Sequence, residues 1–140
     1  MNKLYYLAVP YSHTDPAIRI ARHLMVNKVG AKLIQEGKYI YSPISHTHPI
    51  AEMGTLPRGW DFWEGYDKVM LQACTNLIVL RLPGWETSTG VQAEIKIAKD
   101  LGLPTEYMDY TLTPSYNDMI EAAKAYMAWN LYLYHYIKND

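Results

Sequence analysis

The stretch LYYLAVPYSHTDPAIRIARHLMVNKVGAKLIQEGKYIYSP, residues 4–43, decides the fold. Its first six residues are apolar and stop at a proline, a pattern that is typical of a short buried strand. Asp15 and Pro16 form a helix-start signal, and apolar residues then recur at helical spacing until Gly37. A second strand, residues 38–42, again stops at a proline. Because strand, helix and strand follow each other so closely, we predict a βαβ unit with two parallel strands.

The alternation of strands and helices continues along the rest of the chain. Residues 45–60 contain proline, glycine and histidine without a clear period, which predicts a long loop. The other predicted elements are a helix over 63–74, a strand over 77–82, a helix over 88–101, a strand over 105–108, a linker over 111–114 and a helix over 115–138. We therefore predict a single domain, residues 1–140, built as a three-layer α/β sandwich with a parallel sheet of about four to five strands. Helix 115–138 is then a packing or interface element.

The composition limits the classes of partner and compartment. The formal net charge is -1 and no long basic run is present, so we expect no binding to polymeric nucleic acid. No stretch approaches the roughly 20 apolar residues that span a membrane, and residues 1–3 lead into a strand instead of a signal peptide. The one cysteine, Cys74, is predicted to lie in the core, and no internal disulfide can form. We therefore expect a cytoplasmic protein without a membrane partner.

Polar residues follow the carboxyl ends of the predicted strands, where open parallel sheets bind their ligands. Tyr11, Ser12 and His13 follow the first strand, and His46 and His48 follow the second. We predict a nucleotide-sized site there, in which the histidines either hydrogen-bond a phosphate or base or are plain loop residues. Three imidazoles can hold zinc, but these have no fixed spacing and no cysteine partner, so no metal and no other cofactor is expected.

The segment STGVQAE, residues 88–94, is chemically the most informative. Ser88 is a good N-cap, so the amides that follow it point outward and suit an anion such as a phosphate. Side chains on a helix lean toward its N-terminus, which places the Glu94 carboxylate over Gly90, a residue without a side chain. A ribose whose 5′-phosphate binds the helix end would meet that carboxylate. The alternative is an ordinary capped helix with a solvated glutamate in its second turn.

Three features together resemble the nucleoside 2-deoxyribosyltransferase superfamily. They are Tyr6-Leu7-Ala8-Val9-Pro10-Tyr11 in the first strand, Asp67 before the third strand, and Ser88-x-Gly90-Val91-x-x-Glu94. The last motif is most similar to the branch of 2′-deoxynucleoside 5′-monophosphate N-glycosidases. The segments 10–13, 48–49 and 77–85 are similar to a small group of uncharacterised bacterial and phage proteins in the same superfamily. The resemblance covers residues 4–108.

The resemblance implies a flavodoxin-like fold and a double displacement at the anomeric carbon of a sugar. Glu94 matches the nucleophile, Asp67 the acid that assists proton transfer to the departing base, and Tyr6 the tyrosine that orients the nucleophile. Ser88 matches a serine that binds the 5′-phosphate in the monophosphate branch, whereas the transferases have an aspartate there. A second departure is Val9, where the superfamily usually has glycine.

These features predict an N-glycosidase that cleaves the base from a (deoxy)nucleoside 5′-monophosphate through a covalent glycosyl-Glu94 intermediate, with transfer to another base as a variation. The alternative is a non-catalytic nucleotide-binding or sensing module that uses the same cleft. A salt bridge from Glu94 to Lys96 or Lys99 would favour that alternative. A phosphatase-like hydrolase is a third class, but the sequence has neither a metal cluster nor a cysteine-based phosphate loop.

The last helix predicts self-association. Aromatic and apolar residues cover more than one of its faces, which is more than its own sheet can bury. They are Tyr126, Trp129, Leu131, Tyr132, Leu133, Tyr134 and Tyr136. Interfaces favour tyrosine and tryptophan, and the resemblance implies homo-oligomers in which neighbouring subunits help to close each active site. We therefore expect a homodimer or homotetramer with this helix between subunits.

Overall fold

Four parallel strands form one sheet in the computed structural model, which describes residues 2–110 and 115–138, with side chains as far as residue 128. The elements in chain order are β1 (Leu4–Ala8), α1 (Pro16–Gln35), β2 (Tyr39–Tyr41), α2 (Pro43–Gly54), α3 (Trp60–Ala73), β3 (Asn76–Leu80), a 3-10 turn (Trp85–Thr87), α4 (Thr89–Asp100), β4 (Thr105–Met108) and α5 (Tyr116–Lys138). The strand order is β2-β1-β3-β4, and every neighbouring pair is parallel. The predicted α/β sandwich of flavodoxin-like type is confirmed.

The sheet is covered on both faces, which produces the three layers. α1 and α5 pack on one face, where Leu7, Ile78 and Leu80 are buried. α3 and α4 pack on the other face, where Tyr6 and Val79 are buried. Because strands buried on both faces need apolar residues throughout, the apolar runs of β1 and β3 follow directly from this architecture. The α3–α4 side also supplies the two acidic residues predicted for the site.

Two predicted helix starts are formed by the expected side chains. The Asp15 carboxylate accepts a hydrogen bond from the Ala17 amide at 2.9 Å, with Pro16 in the first turn of α1. The Ser88 hydroxyl accepts one from the Val91 amide at 3.3 Å and caps α4. Each cap satisfies an amide that has no partner inside its helix. Both helices therefore begin directly after the loops that leave the carboxyl ends of β1 and β3.

The predicted loop over residues 45–60 is wrong, because most of this stretch belongs to α2. Ser42 caps the helix by accepting a hydrogen bond from the amide three residues later at 3.4 Å, and a proline occupies the first turn. Pro49 lies inside the helix, where proline removes a backbone hydrogen bond. Because an internal proline argues against a helix, the sequence pattern does not predict α2. Buried residues at helical spacing, His48 among them, hold α2 on the domain and offset the loss. Residues 55–59 are a loop.

Other boundaries differ from the predicted ones by a few residues. α3 starts at Trp60, earlier than predicted. Its N-cap is Gly59, which makes no side-chain capping bond, so the sequence carries no capping signal at this position. Cys74 is buried at the end of α3, as predicted. The predicted linker 111–114 and the side chains of α5 beyond residue 128 lie outside the described residues. Within the part of the chain that the structure describes, no helix combines the length and apolarity that a membrane crossing requires.

Candidate functional site

A cleft of about 420 Å³ opens at the carboxyl ends of β1, β2 and β3. Its walls are the loop after β1, the first half of α2, the loop 55–59, α3 and the start of α4. The volume lies within the range of small-molecule sites. Most of the residues predicted for the site line this cleft: Tyr11, Ser12, His48, Asp67, Ser88, Gly90 and Glu94.

Asp67 and Glu94 line the cleft, and the fully buried Tyr6 lies next to both; we call these three residues the acidic floor. Glu94 is 5% exposed and Asp67 is 8% exposed, so the alternative of a solvated glutamate is wrong. Glu94 Oε2, Asp67 Oδ1 and the Tyr6 hydroxyl have no hydrogen-bond partner among the described residues. No salt bridge in that part of the chain joins Glu94 to Lys96 or Lys99. Buried polar atoms are nearly always paired in proteins, so this set is exceptional.

Burial changes the proton affinity of all three groups. Burial raises the pKa of Glu94 to about 8, while the Tyr6 hydroxyl opposes this rise and the Asp67 charge adds to it. The Tyr6 contact favours the ionised Glu94, but it lies outside ordinary hydrogen-bond geometry. Burial also raises the pKa of Asp67 to about 7, and it lifts the pKa of Tyr6 far above its usual range. Both carboxyl groups therefore hold a proton to higher pH than exposed carboxyl groups do, and Glu94 holds its proton to higher pH than Asp67.

The N-terminus of α4 forms one wall of the cleft. The amides of Thr89 and Gly90 have no protein acceptor within the described residues, as expected for the first turn of a helix. A side chain at Gly90 would meet the Trp60 indole at 3.6 Å, so this tryptophan closes part of the space that the sequence predicts to be open. The two amides and the Ser88 hydroxyl together suit an anion at this wall.

The three predicted histidines do not converge. His48 is buried, and its Nδ1 hydrogen-bonds to the Tyr11 hydroxyl. Its ring also stacks on His23 at a centroid distance of 4.4 Å, and burial, followed by His23, lowers the pKa of His48 to about 4. His13 accepts a hydrogen bond from a nearby amide at 2.9 Å, and His46 is exposed outside the cleft. Across residues 2–110 and 115–128, no group of three or more His, Cys, Asp or Glu side chains is placed to hold a metal ion.

Arg22 is a site-building residue that the sequence pattern does not reveal. It is 6% exposed, and its guanidinium donates to the backbone carbonyls of Tyr11 at 3.2 Å, Ser12 at 3.1 Å and Pro83 at 3.0 Å. Its Nε also donates to the Tyr116 hydroxyl of α5 at 3.3 Å. The guanidinium therefore joins the loops that follow β1 and β3 and ties both to the last helix.

The loop after β3 fits closely around this guanidinium. Gly84 has a φ of +96°, a left-handed conformation that glycine adopts without strain. A Cβ at this position would lie 2.9 Å from Nη2 of Arg22, closer than packed atoms approach. A larger residue would therefore push the loop away from the guanidinium.

Two further arginines adjoin the loop after β1. Arg19 is buried and donates to the His13 carbonyl. Arg58, on the loop between α2 and α3, lines the cleft, and its carbonyl accepts a hydrogen bond from the Ser12 hydroxyl at 3.1 Å. In the described part of the chain, neither of these arginines nor Arg22 forms a salt bridge with a carboxylate. The sequence signal for Arg19 and Arg22 is weak, since it consists of two charges at core spacing on an amphipathic helix.

The fold and the cleft define a flavodoxin-like α/β domain with two buried carboxyl groups at the carboxyl end of its sheet. The model of the family described as a domain of unknown function (DUF1937) matches residues 3–109, and the chain belongs to this family. No curated protein matches the chain. The matched region contains all four strands of the sheet and every residue that lines the cleft, whereas α5 lies beyond it.

Proposed function

We propose that this protein is an N-glycosidase that cleaves the base from (deoxy)nucleoside 5′-monophosphates through a covalent glycosyl-Glu94 intermediate, and that it also transfers the sugar to another base. One observation supports this proposal above all. Glu94 is buried at the cleft with an unpartnered oxygen, and among the described residues no cation pairs with it. A glutamate with a structural role would be hydrogen-bonded or paired. The resemblance of residues 88–94 to the superfamily motif supports the same assignment.

In the first step, a Glu94 oxygen attacks the anomeric carbon, and the bond from that carbon to the base nitrogen breaks. The electron pair of the broken bond stays with the base, which takes the proton of Asp67. In the second step, water attacks the same carbon and gives its proton to Asp67, and Glu94 leaves as a carboxylate. Transfer follows the same route with a second base in place of water.

The proposed reaction needs one carboxyl group of the acidic floor to be ionised and the other to be protonated. Glu94 must be ionised to attack, and Asp67 must be protonated to assist the leaving base. Burial raises the pKa of Asp67 to about 7 and that of Glu94 to about 8, so the pair holds about one proton between these pH values, mainly on Glu94 while the cleft is free of substrate. Positive charge that develops on the sugar in the transition state favours ionised Glu94 and leaves the proton on Asp67.

The preference for a monophosphate is based on the N-terminus of α4. The Ser88 hydroxyl and the amides of Thr89 and Gly90 provide neutral donors for an anion at a helix end. No carboxylate occupies position 88, where the transferases of the resembling superfamily have an aspartate. Tyr11 and His48, a hydrogen-bonded neutral pair on another wall, are then suited to the base or the ribose.

Incubation with a panel of ribonucleoside and deoxyribonucleoside monophosphates, followed by chromatography of free bases, tests the proposal. We expect base release from a monophosphate and slower release from the matching nucleoside. Acid quenching should trap a sugar phosphate on the peptide that contains Glu94, visible by mass spectrometry in the wild type and missing in Glu94→Gln. Binding of monophosphates without base release would instead identify a non-catalytic binding module. Equal kcat/KM for a nucleoside and its monophosphate would contradict the phosphate preference.

We propose in addition that the protein is cytoplasmic and self-associates through α5 as a homodimer or homotetramer. Tyr126 is the member of the predicted aromatic set whose side chain is described, and it is 56% exposed. A large aromatic side chain left open to solvent on this helix supports an interface there. Light scattering over a dilution series tests the assembly, and a particle of 16.2 kDa at every concentration would contradict it.

A further inference from the structure

We propose that Tyr41, the last residue of β2, is a positioning residue whose hydroxyl donates a hydrogen bond to the Asp67 carboxylate when Asp67 is ionised. Tyr41 does not line the cleft, so it acts on the reaction through Asp67 and not by contact with a substrate. This role deepens the proposed function, and it rests on that function only for the step in which Asp67 gives up its proton.

The sheet places Tyr41 beside Tyr6 of the acidic floor. β1 and β2 are parallel, and Tyr6 is the register partner of Tyr41. Side chains of paired residues in neighbouring strands point to the same face of a sheet, and the centroids of these two phenol rings are 5.7 Å apart. Tyr41 therefore lies on the face that α3 and α4 cover, next to the floor.

The buried face of α3 lies against Tyr41. Asp67, Leu71 and Cys74 stand at i, i+4 and i+7, so they share one face of α3 and its end, and all three are buried. Tyr41 packs against the apolar cluster that contains Leu71 and Cys74. Burial, then Tyr66, and then the Asp67 charge raise the pKa of Tyr41 above its usual range. The Tyr41 hydroxyl is therefore close to the Asp67 carboxyl group.

The Tyr41 hydroxyl is a buried donor without an acceptor. Four of the described residues have a buried side-chain polar atom that forms no hydrogen bond, and three of them make up the acidic floor. The fourth is Tyr41, so its free donor lies near Asp67 Oδ1, which is a free acceptor when Asp67 is ionised. An unpaired buried hydroxyl destabilises a fold, and phenylalanine would fill the same space without this loss. The hydroxyl at position 41 therefore fits a role in the reaction and not one in packing.

The charge of Asp67 changes during the proposed reaction, and this change gives the hydroxyl its role. Asp67 becomes a carboxylate when the base takes its proton, and its side chain is buried there. A donor to a carboxylate stabilises the charged form. Tyr41 keeps its own proton at neutral pH because its pKa is raised, so it remains a donor. Tyr41 then serves Asp67 as Tyr6 serves Glu94, whose ionised form the Tyr6 contact favours.

The other titratable groups around Asp67 are poorer donors for it. Glu94 of α4 is a second carboxyl group, and the Tyr6 hydroxyl of β1 is directed to Glu94. On α3, burial raises the pKa of the Cys74 thiol to about 11, and a thiol donates only weakly. Tyr66 is 40% exposed, so water can satisfy its hydroxyl. Among the described residues, no cation forms a salt bridge with Asp67.

Titration of Asp67 by NMR tests the hydrogen bond without turnover. The protein carries ¹³C-labelled aspartate and Glu94→Gln, so Asp67 titrates without a second carboxyl group beside it, and Asp67→Asn assigns its signal. Adding Tyr41→Phe keeps the ring but removes the donor, so the pKa of Asp67 should rise by roughly one to two pH units, the range for a hydrogen bond to a charged group. Tyr39→Phe is the matched control, because Tyr39 is on the same strand and 61% exposed, and it should leave this pKa unchanged.

Steady-state kinetics of base release tests whether the hydrogen bond acts in the reaction. Tyr41→Phe alone should lower kcat by about tenfold or more and leave KM unchanged, because the lost donor stabilises Asp67 only as its proton departs. The alkaline limb of the pH profile should move to higher pH, because Asp67 then keeps its proton to higher pH. A tyrosine that only supported the fold would move neither the limb nor the Asp67 pKa.

An Asp67 pKa that stays the same in Tyr41→Phe would overturn the role of Tyr41, and the hydroxyl would then be a partner of Tyr66. An equal rise in Tyr39→Phe would overturn it as well, since the loss of any phenol from β2 would then explain the rise. Full kcat and an unmoved alkaline limb in Tyr41→Phe would also overturn it. If the pKa rises in Tyr41→Phe alone while the wild type releases no base from any monophosphate, the hydrogen bond stands and the glycosidase proposal fails.

Discussion

The acidic floor and the Arg22 guanidinium, which lies behind the loop after β1 (residues 11–14), hold buried charge in opposite ways. On the floor, three polar atoms have no hydrogen-bond partner among the described residues. Behind the loop, the buried guanidinium of Arg22 donates four hydrogen bonds to neutral acceptors. The carboxyl groups of the floor change their charge by taking up a proton, whereas an arginine stays charged.

This difference separates groups suited to chemistry from groups that support the site. An unsatisfied buried polar group destabilises a fold by about 1–3 kcal/mol, and active sites are where proteins accept such losses. A guanidinium bonded to carbonyls of two loops has the opposite effect, because it fixes the distance between them. We therefore expect substitutions on the floor to remove activity and raise stability, and a substitution behind the loop to lower stability.

Glu94→Gln should have the largest effect, a loss of at least about 10³-fold in kcat. The amide fills the same space but cannot attack an anomeric carbon. Steady-state rates of base release measure the loss, with circular dichroism to confirm the fold. Glu106→Gln changes an exposed glutamate of β4 and should keep full activity. Near-wild-type turnover by folded Glu94→Gln would contradict the assignment of Glu94 as the nucleophile. It would also contradict the interpretation that the acidic floor carries the chemistry.

Asp67→Asn should lower kcat/KM by about 10²- to 10⁴-fold and change the pH profile. The wild-type profile should be bell-shaped, because the pair of carboxyl groups is active with one proton. Asparagine has no proton to lose, so the alkaline limb should disappear. The Asp67 charge raises the pKa of Glu94, so its removal should move the acid limb to lower pH. An alkaline limb that survives in Asp67→Asn would assign the acid to another group.

Arg22→Met tests the supporting half of the comparison. Methionine fills much of the volume but leaves three backbone carbonyls without their donor, so the free energy of unfolding should fall by about 2–4 kcal/mol. Urea denaturation measures the change. Arg81→Met is the matched control, because Arg81 pairs with Asp109 at the surface, where such pairs contribute about 1 kcal/mol or less. Equal losses of unfolding free energy in Arg22→Met and Arg81→Met would show that the buried Arg22 guanidinium does not stabilise the fold.

The smallest expected effect is a gain in stability for Glu94→Gln at alkaline pH. Burial raises the pKa of Glu94 from 4.5 to about 8, so the folded protein binds more protons than the unfolded chain between these values. Wild-type stability therefore falls as the pH rises through this range, and glutamine abolishes that fall. The variant should be more stable than the wild type above pH 8, with little difference between the two in acid. Urea denaturation at several pH values checks this, and a difference that is constant with pH would contradict the buried, proton-binding floor.

Most of the fold was predictable because its sequence signals are of two simple kinds. Helix caps are local, and strands that are buried on both faces of the sheet are continuous apolar runs. The apolar runs of β1 and β3 and the cap at Asp15 identify their elements directly. α2 was not predictable, because Pro49 interrupts its hydrogen bonding and His48 occupies its buried face. Packing against the rest of the domain overrides the weak local preference there, and a sequence pattern does not contain that packing energy.

The sequence by itself determined those features of the site that depend on one or two turns of a helix, namely the Ser88 cap and the alignment of Glu94 with Gly90. Tertiary structure alone decided that Glu94 is buried, because α3 packs on α4 and removes water from its carboxyl group. It also decided the role of Arg22, whose acceptors come from three segments far apart in the chain. Desolvation and multiple bonding require neighbours from several elements at once, so raised pKa values and buried supports belong to the assembled layers and not to any one stretch of sequence.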